Sequence, residues 1–311
     1  MNKEKCYYDF AEFLAKHFPY KVQKISINAG FSCPNRDGSK GFGGCTYCNN
    51  QTFNPDYCKP LMSVSEQLEQ GKRFFARKYP QMKYLAYFQA YTNTYGDLER
   101  LKLLYEEALG VKDVAGIVIG TRPDCMPEEL LEYLEQLSKR TFVLVEYGVE
   151  TSKNDTLKLI NRGHTWEDAT DAILRTKSHG VLCGIHLIIG LPGETLNDIL
   201  STADAVSQLP IDTVKLHQLQ LIKGTKMAQQ VEQGIISVMN WSAEEYIDVC
   251  LSFLRHLSPE IAVERFVSQS PENLLISPKW GLKNYEFTNL LMKRIRATHT
   301  CQGSETSGCV N

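Results

Sequence analysis

Cys33, Cys45 and Cys48 stand in the pattern C-x11-C-x2-C, inside a stretch that also carries Gly38, Gly41, Gly43 and Gly44. Three thiolates can hold three corners of a cube-shaped iron–sulfur cluster, and nothing nearby is an obvious fourth ligand. An iron without a protein ligand is an open position for a substrate or cofactor. Glycines suit such a loop because they reach φ > 0 and let backbone N–H groups approach the sulfurs. The chain has ten cysteines, and Cys6, Cys58, Cys125, Cys183, Cys250, Cys301 and Cys309 are scattered. They lack the spacing of a disulfide framework and read mostly as small apolar fillers.

Further polar residues gather in short strings: Gln89-Ala-Tyr91-Thr92-Asn93-Thr94, Thr121-Arg122-Pro-Asp-Cys125, Glu146-Tyr-Gly148-Val-Glu150-Thr151 and Gly190-Leu-Pro192-Gly193-Glu194. His186 precedes the last of these, and Lys215 and His217 follow it on one face of an alternating run. Taken singly, Glu146 could be a satisfied core carboxylate, His186 a hydrogen-bonded core histidine, and Lys215 a barrel-filling partner for Glu146. Cys125 and His217 could act on a substrate, as could Lys215. As a set, polar groups at successive strand ends favour a site.

The elements that must position these residues alternate. After an amphipathic helix at 7–18, strand-like runs at 21–28, 82–89, 114–120, 142–150, 181–190 and 212–219 are separated by helical patterns at 63–79, 97–109, 127–139, 154–160, 166–178 and 195–209. Six strand–helix units, recurring roughly every 30 residues, imply a parallel sheet with helices on its outer side. Six units form an open, partial (β/α) barrel, where eight would close one, and the active site of such a fold lies at the C-terminal strand ends. The cysteine loop follows the first strand. An additional strand is expected within 260–267, helices over 243–257 and 284–298, and a poorly ordered polar tail from Thr300. The domain reading is a helical extension at 1–20, a core at 21–267 with the cysteine loop at 29–58, and a C-terminal helix and tail at 268–311.

At 311 residues with 43% apolar and 23% charged residues, the composition is that of a globular protein with a sizeable core. No apolar run reaches the roughly 18 residues of a membrane span, and the first residues are not a signal peptide, so a cytoplasmic protein without a membrane partner is expected. Net charge is −2, but residues 1–83 carry 13 Lys and Arg against 7 Asp and Glu. That surplus is compatible with an anionic partner such as RNA, or with a merely solvated face. The segment Gly71-Lys-Arg-Phe74-Phe75-Ala-Arg77-Lys78-Tyr79 interleaves basic and aromatic residues as RNA-contacting surfaces do, and equally as a helix packing its rings on a barrel.

At these residues the sequence resembles the radical S-adenosylmethionine (SAM) superfamily, in which Cys-x2-Cys carries an aromatic residue, here Tyr47, before the last cysteine. The long first spacing, with the Glu146–Thr151 string, Asn161-Arg-Gly-His-Thr165 and Gly190-Leu-Pro-Gly-Glu-Thr195, resembles the Elongator-catalytic-subunit-like group. Within it the likeness is to short bacterial proteins of the YhcC/YtqA type, over about residues 20–267. The resemblance implies an α/β fold, a partial (β/α)6 TIM-like barrel with a C-terminal extension. It implies that Cys33, Cys45 and Cys48 ligate a [4Fe–4S] cluster whose open iron takes the amino and carboxylate groups of SAM. Tyr47 would lie against the adenine, Glu150 would accept from the ribose hydroxyls, Arg162 would pair with the SAM carboxylate, and Gly190 to Glu194, with Gly193, would form the turn beside the adenine. Gln89, Asn93 and Thr94 stand where the superfamily has a glycine-rich segment meeting the SAM amino group.

The implied chemistry is reductive cleavage of SAM to a 5′-deoxyadenosyl radical, with reduced flavodoxin or ferredoxin as electron donor, followed by hydrogen abstraction from a substrate. Relatives in the group modify wobble uridines of tRNA, so a uridine side chain is the expected substrate and tRNA a candidate partner, with a small molecule as the alternative. Too few residues follow the barrel for an acetyltransferase domain, so acetyl-derived chemistry is not expected. Two other classes compete. One is a non-catalytic zinc-binding interaction module, although structural zinc sites usually pair two two-cysteine knuckles and one Cys-x2-Cys is present. The other is an iron–sulfur electron carrier, which would want four ligands and has no use for six strand–helix units. No auxiliary cluster is expected from Cys301 and Cys309.

Overall fold

Apolar alternating runs become strands and amphipathic runs become the helices between them. The structure, a computed structural model, describes residues 6–52, 55, 57–76 and 81–306. Helix α1 (Phe10–His17) precedes β1 (Val22–Ile27), and the loop after β1 leads to α2 (Val64–Ala76). There follow β2 (Lys83–Phe88), α3 (Leu98–Leu109), β3 (Val114–Thr121), α4 (Glu128–Ser138) and β4 (Phe142–Glu150). Next come α5 (Asn154–Leu159), α6 (Trp166–Ser178), β5 (Leu182–Ile189), α7 (Leu196–Ser207) and β6 (Thr213–Gln218). A short strand β7 (Leu221–Ile222), α8 (Lys226–Glu232), α9 (Ala243–His256), β8 (Ala262–Arg265), β9 (Leu275–Ser277) and α10 (Asn284–Thr298) complete the order. Helices α6, α7 and α9 begin at reciprocal capping boxes, Thr165 with Asp168, Thr195 with Asp198, and Ser242 with Glu245. No helix among the described residues is long and apolar enough to cross a membrane.

Strands β1 to β6 pair in parallel in chain order, and β8 adds in parallel to β6 as a seventh strand. The additional strand expected within 260–267 is therefore part of the main sheet. The sheet is open, with β1 and β8 as its edges, yet curled: Lys24 Nζ on β1 lies 2.5 Å from Glu264 Oε2 on β8. Strands β7 and β9 form a separate antiparallel pair.

The inward faces stack in layers. At the N-terminal strand ends, Phe10, Leu14 and Phe18 pack with Leu85, Val118, Leu144 and Leu182. The N-terminal helix thus plugs the base of the barrel, each fully buried side chain of this kind contributing about 1.5–3 kcal/mol. Two residues on, the same faces carry Tyr87, Gly120 and Glu146, and two further on Gln89, Arg122, Gly148 and His186. The outer face packs Phe88, Ile119, Tyr147 and Leu187 under the helices.

The tail departs from expectation. Thr300 and Gln302 are buried. The Gln302 side chain accepts from Tyr8 N at 2.9 Å and donates to Ser258 O at 2.6 Å and Ile261 O at 2.8 Å, while its backbone N donates to Cys6 O at 2.9 Å. A polar tail reads as loose when its partners are unknown; here it supplies the hydrogen bonds that two buried segments lack on their own. Arg77, Lys78, Tyr79 and Cys309 lie outside the described residues.

Candidate functional site

A cavity opens at the C-terminal strand ends, as a parallel barrel dictates. Cys33, Cys45 and Cys48 line it from the loop after β1, and Tyr87, Glu146, His186 and His217 line it from the strands.

The loop is built from successive turns. Arg36 N and Asp37 N donate to Cys33 O, Lys40 N and Gly41 N to Pro34 O, and Gly44 N to Asn35 O. The eleven-residue spacer thus folds back on itself before Cys45. Gly44 has φ +77°, and a Cβ there would meet Arg36 Nε at 2.8 Å, so only glycine lets the loop close under that guanidinium. Asn35 Nδ2 anchors the turn to Asn161 O at 2.5 Å, and Asn161 Nδ2 returns a bond to Gly44 O at 2.9 Å. Cys45 Sγ faces Arg162 Nη1 at 3.6 Å and Asn35 Nδ2 at 3.7 Å. Burial, and after it Cys45, push the Cys48 thiol up to about 11, so a metal would have to displace its proton.

Glu150 and Arg162 are both buried and pair at 3.4 Å. Arg162 Nη2 also donates to Gly148 O at 2.5 Å, while its buried Nε has no hydrogen-bond partner. A Cβ on Gly148 would meet Arg162 Nη2 at 2.6 Å and Glu150 Oε1 at 2.8 Å, so this position admits the pair because it has no side chain. Glu150 itself is held at φ +71°, beside a register shift between β4 and β5, a strained backbone of the kind that clusters at functional sites. Burial raises its carboxyl above the ordinary range, and Arg162 opposes the shift only in part. Tyr47 lines the cavity and packs on an apolar cluster of Ile160, Ile188, Leu191 and Met227.

The inner layer is ionic. Glu146, 1% exposed, receives Lys24 at 2.5 Å, Lys215 at 2.8 Å and His186 Nε2 at 2.8 Å. Glu264 shares the same lysines at 2.5 and 3.1 Å, and Lys215 also donates to Tyr87 Oη at 3.1 Å. Burial opposes the charge on Glu146, but Lys215 and Lys24 overcome it and hold the carboxyl well below the usual range. Lys215 loses more to burial than the two carboxylates restore and is lowered, while Lys24 is raised by them despite burial. Both shifts concern one network; the short contacts to Glu146 favour the fully ionised form, which a buried pair needs to remain satisfied. Burial, then the charge of Lys215, push His186 down to about 4, and burial with Arg265 holds His217 well below its ordinary value. Both imidazoles are neutral at pH 7.

Of the residues singled out in the sequence, Cys33, Cys45, Cys48, Tyr47, Gln89, Glu150, Arg162 and His217 line this one cavity. Asn93, Thr94, Cys125, Gly190, Gly193 and Lys215 do not line it. Asn93 Nδ2 donates to Phe88 O and Gly120 O, and Thr94 bonds Thr121 and Cys125 O, so both tie the ends of β2 and β3 together. Cys125 is buried, and burial followed by Asp124 pushes its thiol up to about 12. Gly190, at φ +93°, lies under the Trp241 ring, and Gly193 turns at φ +83°. Lys215 stands behind Glu146 as its ion-pair partner. Cys301 is exposed beside Cys6. Tyr91 and Arg122, named in the strand-end strings without a role, also line the cavity, as does Arg36, which was passed over together with Lys24 and Glu264 behind it. Lys24 and Ser26 alternate with the apolar Ile25 and Ile27, a pattern that could have flagged an inward lysine.

Three cysteines around one cavity, a guanidinium donating to one sulfur, and a second buried guanidinium nitrogen without a partner fit a thiolate-held cluster beside a carboxylate-bearing ligand. Among the described residues no three Cys, His, Asp or Glu side chains converge to hold a single metal ion.

Residues 32–206 match the Radical SAM superfamily, and residues 211–297 the Radical_SAM C-terminal domain. The chain is 35% identical over 302 residues to the uncharacterized protein YtqA of Bacillus subtilis, covering 97% of this chain and 93% of YtqA. A tRNA uridine(34) acetyltransferase of Methanocaldococcus infernus is 27% identical over 209 residues, covering 63% of this chain and 36% of that protein. The fold is that of the solved archaeal Methanocaldococcus infernus Elp3 with an N-terminal deletion, at a TM-score of 0.66 and 18% identity, over 91% of this chain and 64% of that one. The chain belongs to the radical SAM superfamily, as an enzyme that uses a [4Fe–4S] cluster and SAM.

Proposed function

We propose that this radical SAM enzyme acts on the side chain of a wobble uridine in tRNA. What carries the reading is the match to a tRNA uridine(34) acetyltransferase over a region that spans little more than a third of that protein. Supporting it, Tyr91 lines the mouth of the cavity, is 39% exposed and is held at φ +64°, a ring on which an extruded base could stack.

Cys33, Cys45 and Cys48 would hold the cluster. Arg162 would pair with the SAM carboxylate through its unpartnered edge, Glu150 would accept from the ribose hydroxyls, and Tyr47 would cover the adenine. When bound, these groups supply a hydrogen-abstracting radical after one-electron reduction by an external donor, for which reduced flavodoxin or ferredoxin is the proposed source. The chain's own part is to exclude water and hold the target still. The α1 plug closes the base of the barrel, and the neutral imidazoles of His186 and His217 offer hydrogen bonds without a titrating proton.

The test compares tRNA nucleosides from cells with and without the protein by mass spectrometry. A wobble-uridine derivative should accumulate in its less processed form when the protein is absent. Identical wobble uridines would defeat the tRNA reading and leave the radical chemistry untouched.

A further inference from the structure

The ionic layer does not balance. Lys24 and Lys215 are matched by Glu146 and Glu264, two cations to two carboxylates. Arg265 is a third cation on the same side. It is carried by the edge strand β8, where a register shift between Val214 and Lys215 brings Arg265 opposite Lys215. Glu264 and Arg265 are adjacent in sequence, yet both serve the barrel interior because of that shift. Arg265 Nη2 lies 3.3 Å from both ring nitrogens of His217, which lines the cavity. Among the described residues Arg265 makes no ion pair, and its Nε is buried without a hydrogen-bond partner. A half-buried guanidinium whose Nε is cut off from water, with no carboxylate beside it, is costly unless something else supplies the counter-charge. Among the described residues nothing does so here; of the guanidiniums that line the cavity, Arg122 pairs with Asp124 at 2.9 Å and Arg162 with Glu150, while Arg36 donates to Cys48 O at 3.0 Å.

We propose that Arg265, together with His217, binds an oxyanion of the substrate on the β6–β8 side of the cavity. Resting on the reading above of this cavity as the substrate site, the assignment adds that the substrate carries its negative charge away from the cysteine loop. A planar oxyanion can meet the unpartnered nitrogens of the guanidinium in the bidentate manner that arginine favours. His217, kept neutral beside a cation, has one ring N–H, which donates the remaining bond to the oxyanion, while its other nitrogen can accept from Arg265. Two sources offer this chemistry, a carboxylate on the reacting group or a phosphodiester of RNA.

The experiment is a histidine-selective ¹³C NMR titration of the reconstituted, oxidised holoenzyme, the chain having 7 histidines and His217→Asn serving to assign the signal. Acetate and dimethyl phosphate are the probes, against sodium chloride at matched ionic strength. The His217 signal should shift saturably with at least one probe. In Arg265→Gln the affinity should fall about 10- to 100-fold, as expected for a lost charge-assisted pair, and Arg265→Lys should restore part of it. A response to acetate alone assigns a carboxylate, and a response to dimethyl phosphate alone a phosphodiester. No saturable shift with either probe, or an unchanged one in Arg265→Gln, would overturn the assignment. An unchanged tRNA nucleoside profile would leave the anion site standing, and absence of the shift would leave the tRNA reading standing.

Discussion

The two ends of the cavity are made differently. At the cysteine end, a segment with no helix or strand among its described residues beyond one short turn is shaped by backbone bonds between near neighbours, such as Gly44 N to Asn35 O. At the inner end, Glu146, Lys215, His186, Lys24 and Glu264 project from strands and are joined across sequence separations of up to 240 residues. This contrast predicts that the loop can be altered without disturbing the sheet, whereas altering the ionic layer disturbs the fold. Chemistry sits on the adaptable part, and the strands supply a rigid wall against which it works.

The largest effect should come from the loop. Cys48→Ala is expected to reduce bound iron and SAM cleavage to background while far-UV circular dichroism and the melting curve stay as in the wild type. A collapse of the fold in that variant would show that the loop is not separable from the barrel. The reciprocal variant is Glu146→Ala, which leaves Lys24 and Lys215 without a shared carboxylate and should cost about 3–5 kcal/mol in urea unfolding. Stability within 1 kcal/mol (about the cost of an ordinary substitution) would deny the ionic layer its structural role.

Arg162 ties the cysteine loop to the end of β4, through Cys45 on one side and Gly148 and Glu150 on the other. Arg162→Ala should retain iron and bind SAM about 10- to 100-fold more weakly by equilibrium dialysis, the scale of a lost charge-assisted hydrogen bond. Loss of iron instead would place Arg162 with the loop.

A smaller effect follows from pH. His186 is lowered to about 4 in the folded protein, against about 6.5 in the unfolded chain. Below that unfolded value the unfolded state takes up a proton that the folded state refuses, so stability should fall as pH drops from 6.5 toward 4. With the ring partly exposed to the cavity, the contribution should be of order 1–2 kcal/mol. Unfolding free energies at pH 7 and pH 5, in wild type and His186→Gln, measure it. Parallel losses in both proteins would assign the pH dependence elsewhere.

Much of the barrel was legible because strand alternation and helix periodicity are local signals, and the three cysteines because their spacing is local too. Glu150 and Arg162 were legible through the strings that contain them. The network around Glu146 was only half legible. Its pairing with Lys215 could be suspected from two inward polar positions, but Glu264 and Arg265 lie on a four-residue strand at the far edge of the sheet, where no period can be read. Asn93 and Thr94 stand at the end of β2 without lining the cavity: the Asn93 amide donates to Phe88 O and Gly120 O, and Thr94 bonds Thr121 and Cys125 O, contacts that strand alternation does not encode.

The clasp at Gln302 bears on the order in which the chain can become native. Tyr8 and Gln302 are 294 positions apart, which at ribosomal rates of about 5–20 residues per second separates their synthesis by tens of seconds. The strands that form the socket of α1 emerge one by one and are complete only when Leu182 has been made, and the bond to Gln302 waits longer still. The base of the barrel is therefore a late event in biosynthesis, and a newly made chain presents an unsealed barrel until its second edge strand arrives.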